Sequence, residues 1–178
     1  SAKKLDLAIE QALGQMGDIN TALNTVRDIS ESFNRKGLAL EKLVKSEKDS
    51  RKLAIVAEGR IALTAHIAAL NTRLGKPYMP TIQADFAGVI KGLQKIESTQ
   101  NAVDTELARA KIEANAIADK IQANLATLEQ QGDDYKHLFA DTAQIILKAP
   151  DDFEALVKTR VIDFMAAEGK RLEDVREK

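Results

Sequence analysis

The 178-residue chain has only two histidines, His66 and His137, and no cysteine. Asp134 and His137 are spaced i, i+3, which puts two metal-ligating groups on one helix face. A di-iron helical bundle needs that motif twice, with further glutamates facing inward. His66 is flanked by Leu63 and Leu70 rather than by carboxylates, so both histidines read as surface or packed side chains. Nucleophilic catalysis also lacks its parts. There is no thiol, no G-x-S-x-G, and no serine near a turn with a partner histidine. Gly14 and Gly17 lie in a helical pattern with no preceding strand and no following G-K-[ST], so they do not form a phosphate cradle. The acidic pairs Asp133-Asp134 and Asp151-Asp152 are the last candidates for acid–base chemistry. Both fall where helices start, and free N–H groups and the helix dipole favour carboxylates there. No catalytic residue, cofactor or metal ligand is expected, and the chain does not read as an enzyme.

The elements that would carry these residues are helical. Charged residues make up 30% of the chain and aromatics only 4%; alanine, leucine, lysine, glutamate and glutamine, all good helix formers, dominate. This composition predicts an all-α protein with extended helix-on-helix contacts. With 26 basic and 27 acidic residues interspersed, the net charge is −1. The positive field that phosphate-backbone binding normally uses is therefore missing, and nucleic acid is a partner without charge support. No apolar run reaches the ~20 residues that cross a bilayer, and no membrane contact is expected. The absence of cysteine is compatible with a reducing cytoplasm.

Three regions are expected. In residues 1–51, Ala2, Ile9, Met16 and Leu23 recur every seven, as do Leu5, Ala12, Ile19, Val26, Phe33 and Leu40. The two series are offset by three, the a/d seam of a coiled coil. Ser30 and Gly37 weaken the seam, so this arm is expected to bend or end near Asn34 to Gly37. A second register, with Leu53, Ile67 and Leu74 in one series and Val56, Leu63 and Leu70 in the other, implies a helix break, a stutter or a change of partner, placed at 45–52. Residues 52–131 are expected to form a long antiparallel helical hairpin that turns at 75–83. Its returning helix, 84–131, carries Phe86, Leu93, Leu107, Ala114 and Ile121 in one series and Val89, Ile96, Val103, Ala110 and Ile117 in the other. Gln100 and Asn124 are the polar positions of that seam; they either face solvent near a frayed end or are buried amides that set register or oligomeric state.

In the turn, Gly75 suits a helix C′ position, and Pro77 and Pro80 disfavour helix. Thr81 or Asp85 is available to cap the returning helix. Tyr78 and Met79 are expected to pack over the hairpin end, or to form a small partner contact. Residues 132–178 are expected to form a helical pair, about 135–148 and then a helix capped by Asp151 with Glu154 in a capping-box spacing. The natural chain is expected to continue beyond Lys178. The whole reads as an elongated antiparallel helical hairpin or coiled coil with a small C-terminal helical pair, more readily a dimer than a monomer.

The stretch 138–178, with Leu138-Phe139, Asp151-Asp152-Phe153, Leu156-Val157-Lys158, Arg160 and Arg171-Leu172-Glu173, resembles bacteriophage and prophage helical coiled-coil proteins. Residues 102–121 resemble the preceding helix of that family, so the likeness covers roughly 70–178. Some members are encoded near homologous-recombination genes, and the family has no established activity. The resemblance implies a cytoplasmic protein of a bacterial host cell. The leading expectation is a non-enzymatic helical scaffold or protein-interaction module that binds itself or another protein. One alternative is an accessory protein in phage DNA recombination, contacting DNA or a recombination enzyme. Another is an extracytoplasmic helical hairpin of a secretion or adhesion system.

Overall fold

A computed structural model describes residues 2–177. Among these the regular elements are all helical, with no strand, as the composition predicts. Helix α1 spans Ala2–Leu74, α2 Ile96–Glu129, α3 Thr142–Ile145 and α4 Pro150–Arg176, with a 3-10 segment at Asp133–Phe139. The chain divides into two compact units, one up to Arg51 and one from Lys52. Helix α1 contributes to both.

No proline falls within α1, so the helix neither ends near Asn34 to Gly37 nor breaks within 45–52, although the boundary between the two units falls within that second stretch. Each interior glycine costs about 1 kcal/mol relative to alanine. Such a cost does not end a helix unless a proline or a competing cap takes over. In the first unit no described residue is buried. Its heptad seam lies entirely on the surface.

The second unit holds the core. Along α1, Val56, Gly59, Leu63, Leu70 and Leu74 are buried at three- and four-residue steps, the stripe expected of a helix packed on one side. Leu53, expected in this seam, is 69% exposed. At Gly75 the backbone adopts φ +78°, a left-handed conformation that closes the helix at little cost only for glycine. The chain does reverse at 75–83. The returning leg, however, is not a helix. Residues 75–95 run back along α1 as extended chain and turns, bringing the Leu93 carbonyl within 2.5 Å of Lys52 Nζ.

Helix α2 then starts at Ile96 rather than near residue 84, and runs in the same direction as α1. Gly59 lies beside Val103, His66 Nε2 is 3.0 Å from Asn115 Oδ1, and Arg73 pairs with Asp119 at 2.8 Å. Partner numbers rise together, which is parallel pairing. The heptad series therefore overran the helix at its start: Phe86 and Val89 keep the spacing but lie in turns, and Leu93 lies in the irregular chain after them. Pro77 and Pro80 exclude helix at the beginning of this leg. Further along, the Asp85 carboxylate takes the Gly88 N–H at 2.8 Å, fixing a turn. Neither Thr81 nor Asp85 caps a helix; the cap position of α2 is Lys95, with no side-chain cap bond.

After α2, whose C-cap is Gln130, Gly132 takes φ +76° and ψ 176°; it lies one residue beyond the expected C′ position and opens the 3-10 segment instead. The single helix expected over 135–148 is instead the 3-10 segment and the one-turn α3. The Thr142 hydroxyl donates back to the Phe139 carbonyl at 2.5 Å, closing the segment between them. Pro150 opens α4 at its first turn, where a missing N–H costs nothing. The cap residue is Ala149 with no side-chain cap bond, so the Asp151–Glu154 capping box does not form. Asp151 and Asp152 still sit in the first turn, where the dipole favours them. Helix α4 packs on α2 and on the 3-10 segment. Phe86, Val103, Ile121, Ile146, Phe153 and Val157 are the fully buried apolar centres.

At Gly59 a Cβ would lie 2.7 Å from Val103 Cγ1 and 3.2 Å from the Phe86 ring. Neither neighbour yields easily, since one is β-branched and the other is a ring in the core. Gly59→Ala is therefore expected to lower the unfolding free energy by about 1–3 kcal/mol, in spite of its better helix propensity. Gly14→Ala, with nothing within 4 Å, is expected to be neutral or stabilising. Urea unfolding followed by circular dichroism compares the two, and equal stabilities would remove the close approach as a constraint.

Candidate interaction surfaces

The irregular leg 75–95 needs partners for its backbone, and helix side chains provide several. Asn71 Oδ1 accepts the Met79 N–H at 2.9 Å. Arg109 Nη2 donates to the Gln83 carbonyl at 2.7 Å, and Glu106 Oε1 accepts the Asp85 N–H at 3.0 Å. Arg109 also grips Glu106 through Nε and Nη2, at 2.9 and 2.8 Å, and Glu113 through Nη1 at 2.9 Å. The Arg109 bonds, reinforced by the Asp85 N–H, hold the Glu106 carboxyl at about 2 instead of 4.5. The same contacts raise Arg109 further above its already high value.

Tyr78 and Met79 are half-buried and pack against the core. They open onto different clefts. Met79 borders one of about 450 Å³ with Arg60, Thr64, Ile67 and Ala84. Tyr78 borders another of about 390 Å³ with Lys76, Leu125, Glu129, Lys136 and Thr142. These clefts are shallow dips beside the returning leg, and no described cluster of three or more histidines, aspartates or glutamates could hold a metal ion. His66 is tied to Asn115. His137 stands edge-on to the Phe164 ring at 5.0 Å. Asp133 pairs with Lys136, which holds its carboxyl below the usual range.

Gln100 and Asn124 have different environments. Gln100 is half-buried, and its amide bonds along its own helix to Asp104 Oδ1 at 2.9 Å. Asn124 is 1% exposed; its Nδ2 donates to the carbonyls of Ile146 and Lys148 at 2.8 and 3.0 Å, while Oδ1 has no protein partner. Asn124 thus serves the chain between α3 and α4. A buried amide at a seam position is visible in the sequence, but its partner, more than twenty residues away, is not. Arg160 has the matching task at the preceding break. Its guanidinium donates to the Leu138 carbonyl at 3.0 Å and to both oxygens of Asp141 at 2.6 and 2.8 Å. This pairing lowers the Asp141 pKa and raises that of Arg160.

An extended series of exposed apolar residues lies on the first unit. Ile9, Met16, Ile19, Leu23, Val26 and Phe33 are 49–72% exposed and fall on the a/d seam. By length and composition alone, one 18-residue window of α1 is apolar enough to cross a membrane, which the run count did not anticipate. Of that window 28% is buried within the described chain, and Ile55, Val56, Leu63 and Leu70 are among the buried residues of α1. Searches of protein-family models, of curated proteins and of solved structures find no match to this chain.

Two outcomes are expected. Asn124→Ala leaves the Ile146 and Lys148 carbonyls without their donor, and should cost about 1–3 kcal/mol in chemical unfolding. For Glu106, the folded pKa lies below the unfolded one, so the unfolded chain binds protons more readily in acid. Its stabilisation is complete above about pH 4.5 and is lost as pH falls towards 2. Glu106→Gln should therefore melt several degrees below the parent near neutrality, with the gap closing on acidification. A gap that does not change with pH would show that the carboxylate charge is not what holds the leg.

Proposed function

We propose that this protein is a non-enzymatic helical scaffold that associates with other helical protein through the N-terminal part of α1. The observation that carries this reading is the exposed a/d stripe of residues 2–44, interrupted at Ser30 and Gly37, in a unit with no buried residue among those described. A helix with an apolar stripe and no cover gains stability chiefly from packing, not from propensity. In this reading the second unit is the folded anchor and the arm is the contact element. The resemblance to phage and prophage coiled-coil proteins supports placing it in the cytoplasm of a bacterial host. It also supports the second reading, an accessory role in DNA recombination, which the even charge balance does not favour.

The test uses affinity capture from a phage-bearing bacterial extract, with the parent chain and a Leu23→Asp/Val26→Asp variant as bait. The parent is expected to retain protein that the variant loses. Equal recovery by parent and variant would remove the scaffold reading, as would no recovery from a parent that is also monomeric. A mobility shift with single-stranded DNA that weakens steeply with salt would instead favour the recombination role.

A further inference from the structure

We infer that the face formed by the a and d positions of residues 2–44 pairs with the same face of a second copy of this chain, parallel and in register. This deepens the scaffold reading and rests on it by naming the first partner of the arm. Three observations carry it.

The first is shape. Phe33, a d residue, is 72% exposed. In a parallel, in-register pair, the hole that receives a d knob is lined by the flanking a residues and the d and e residues of the facing helix. For Phe33 these are Ser30, Phe33, Asn34 and Gly37. The largest d side chain therefore meets a hole whose two a positions are a serine and a glycine. The same residues that weaken the seam of a single helix make room for the ring in a pair. No atom lies within 4 Å of a Cβ built on Gly37, so nothing in the chain itself uses that space.

The second is charge. Parallel pairing sets each g residue against the e residue five positions further on in the partner. Lys36 then meets Glu41, Gln15 meets Asn20, and Ala8 meets Leu13, with no like-charged pair from residue 2 to 48. An antiparallel pair with the arms fully overlapped sets e against e, and brings Asp6 onto Glu41. Like charges so placed are destabilising.

The third is area. About a dozen apolar a/d side chains on each helix, at roughly 60 Å² apiece, would withdraw on the order of 1,500 Å², within the about 1,200–2,000 Å² of stable specific interfaces.

The chain has no cysteine, so single thiols report the geometry directly. In sedimentation equilibrium the full chain is expected to have the mass of at least two copies, and Leu23→Asp/Val26→Asp the mass of one. The variant should retain the parent's Glu106-dependent acid melting, which shows that the second unit is still folded. Under mild oxidation, Leu5→Cys alone and Leu40→Cys alone should each form a disulfide-linked dimer. A monomeric parent overturns the inference, as does self-association that survives in the double variant. Crosslinking only when Leu5→Cys and Leu40→Cys chains are mixed also overturns it, because it identifies antiparallel pairing. A monomeric parent that still captures protein through Leu23 and Val26 defeats this inference while leaving the scaffold reading intact.

Discussion

The second unit depends on supplying hydrogen-bond partners to backbone that has left helix geometry. Main-chain N–H and C=O groups turned away from water must be paired, and an unpaired one costs as much as a lost bond. Residues 75–95 return along α1 without a helix or ladder of their own. Their partners come from Lys52 and Asn71 on one side and Glu106 and Arg109 on the other. These side chains hold the leg where Phe86 can reach Gly59 and Val103. The parallel course of α1 and α2 follows, because a chain that has travelled back must run forward again.

The same arrangement recurs between α2 and α4. The breaks around Ala140 and Ile146 leave carbonyls that Arg160 and Asn124 take up. Arg160 reaches its carbonyl while forming a two-pronged pair with Asp141, and its guanidinium lies 5.8 Å from the centre of the Phe139 ring. Each of these polar residues holds irregular chain in place. Strongly shifted ionisation therefore marks structural joints in this protein, as at Glu106. Perturbed pKa values accompany both catalytic sites and ion-pair networks; here the neighbours are backbone groups and arginine, with no nucleophile beside them.

The two units differ in what their apolar residues are doing. In the second, small and branched side chains such as Ala110, Ala114 and Val103 are fully covered within the chain. In the first, residues of similar character are on the surface, arranged at a strict seven-residue spacing. An apolar stripe of this extent is the kind of surface that marks interaction sites. It is the observation on which the proposed role of the arm in assembly rests.

Local physics alone determined a good deal. Helical composition, the apolar period and the absence of proline in α1 imply an all-α chain. Gly75 and Gly132 mark helix ends, since φ above zero is cheap only without a Cβ. The heptad positions of α2 also identified much of its covered face, including Val103, Ala110, Ala114 and Ile121, while the burial of Asn124 was one of two readings left open. What spacing could not decide was whether apolar residues at the right intervals lie on a helix at all. Phe86, Val89 and Leu93 continue the period but lie outside any helix, where the Asp85–Gly88 bond fixes a turn and Phe86 packs against Gly59 of α1. The direction of α2, the division of 135–148 and the partner of Asn124 were likewise settled only by tertiary structure. Each depends on contacts between residues far apart in sequence, where burial and hydrogen-bond pairing outweigh a local preference of a few tenths of a kcal/mol per residue.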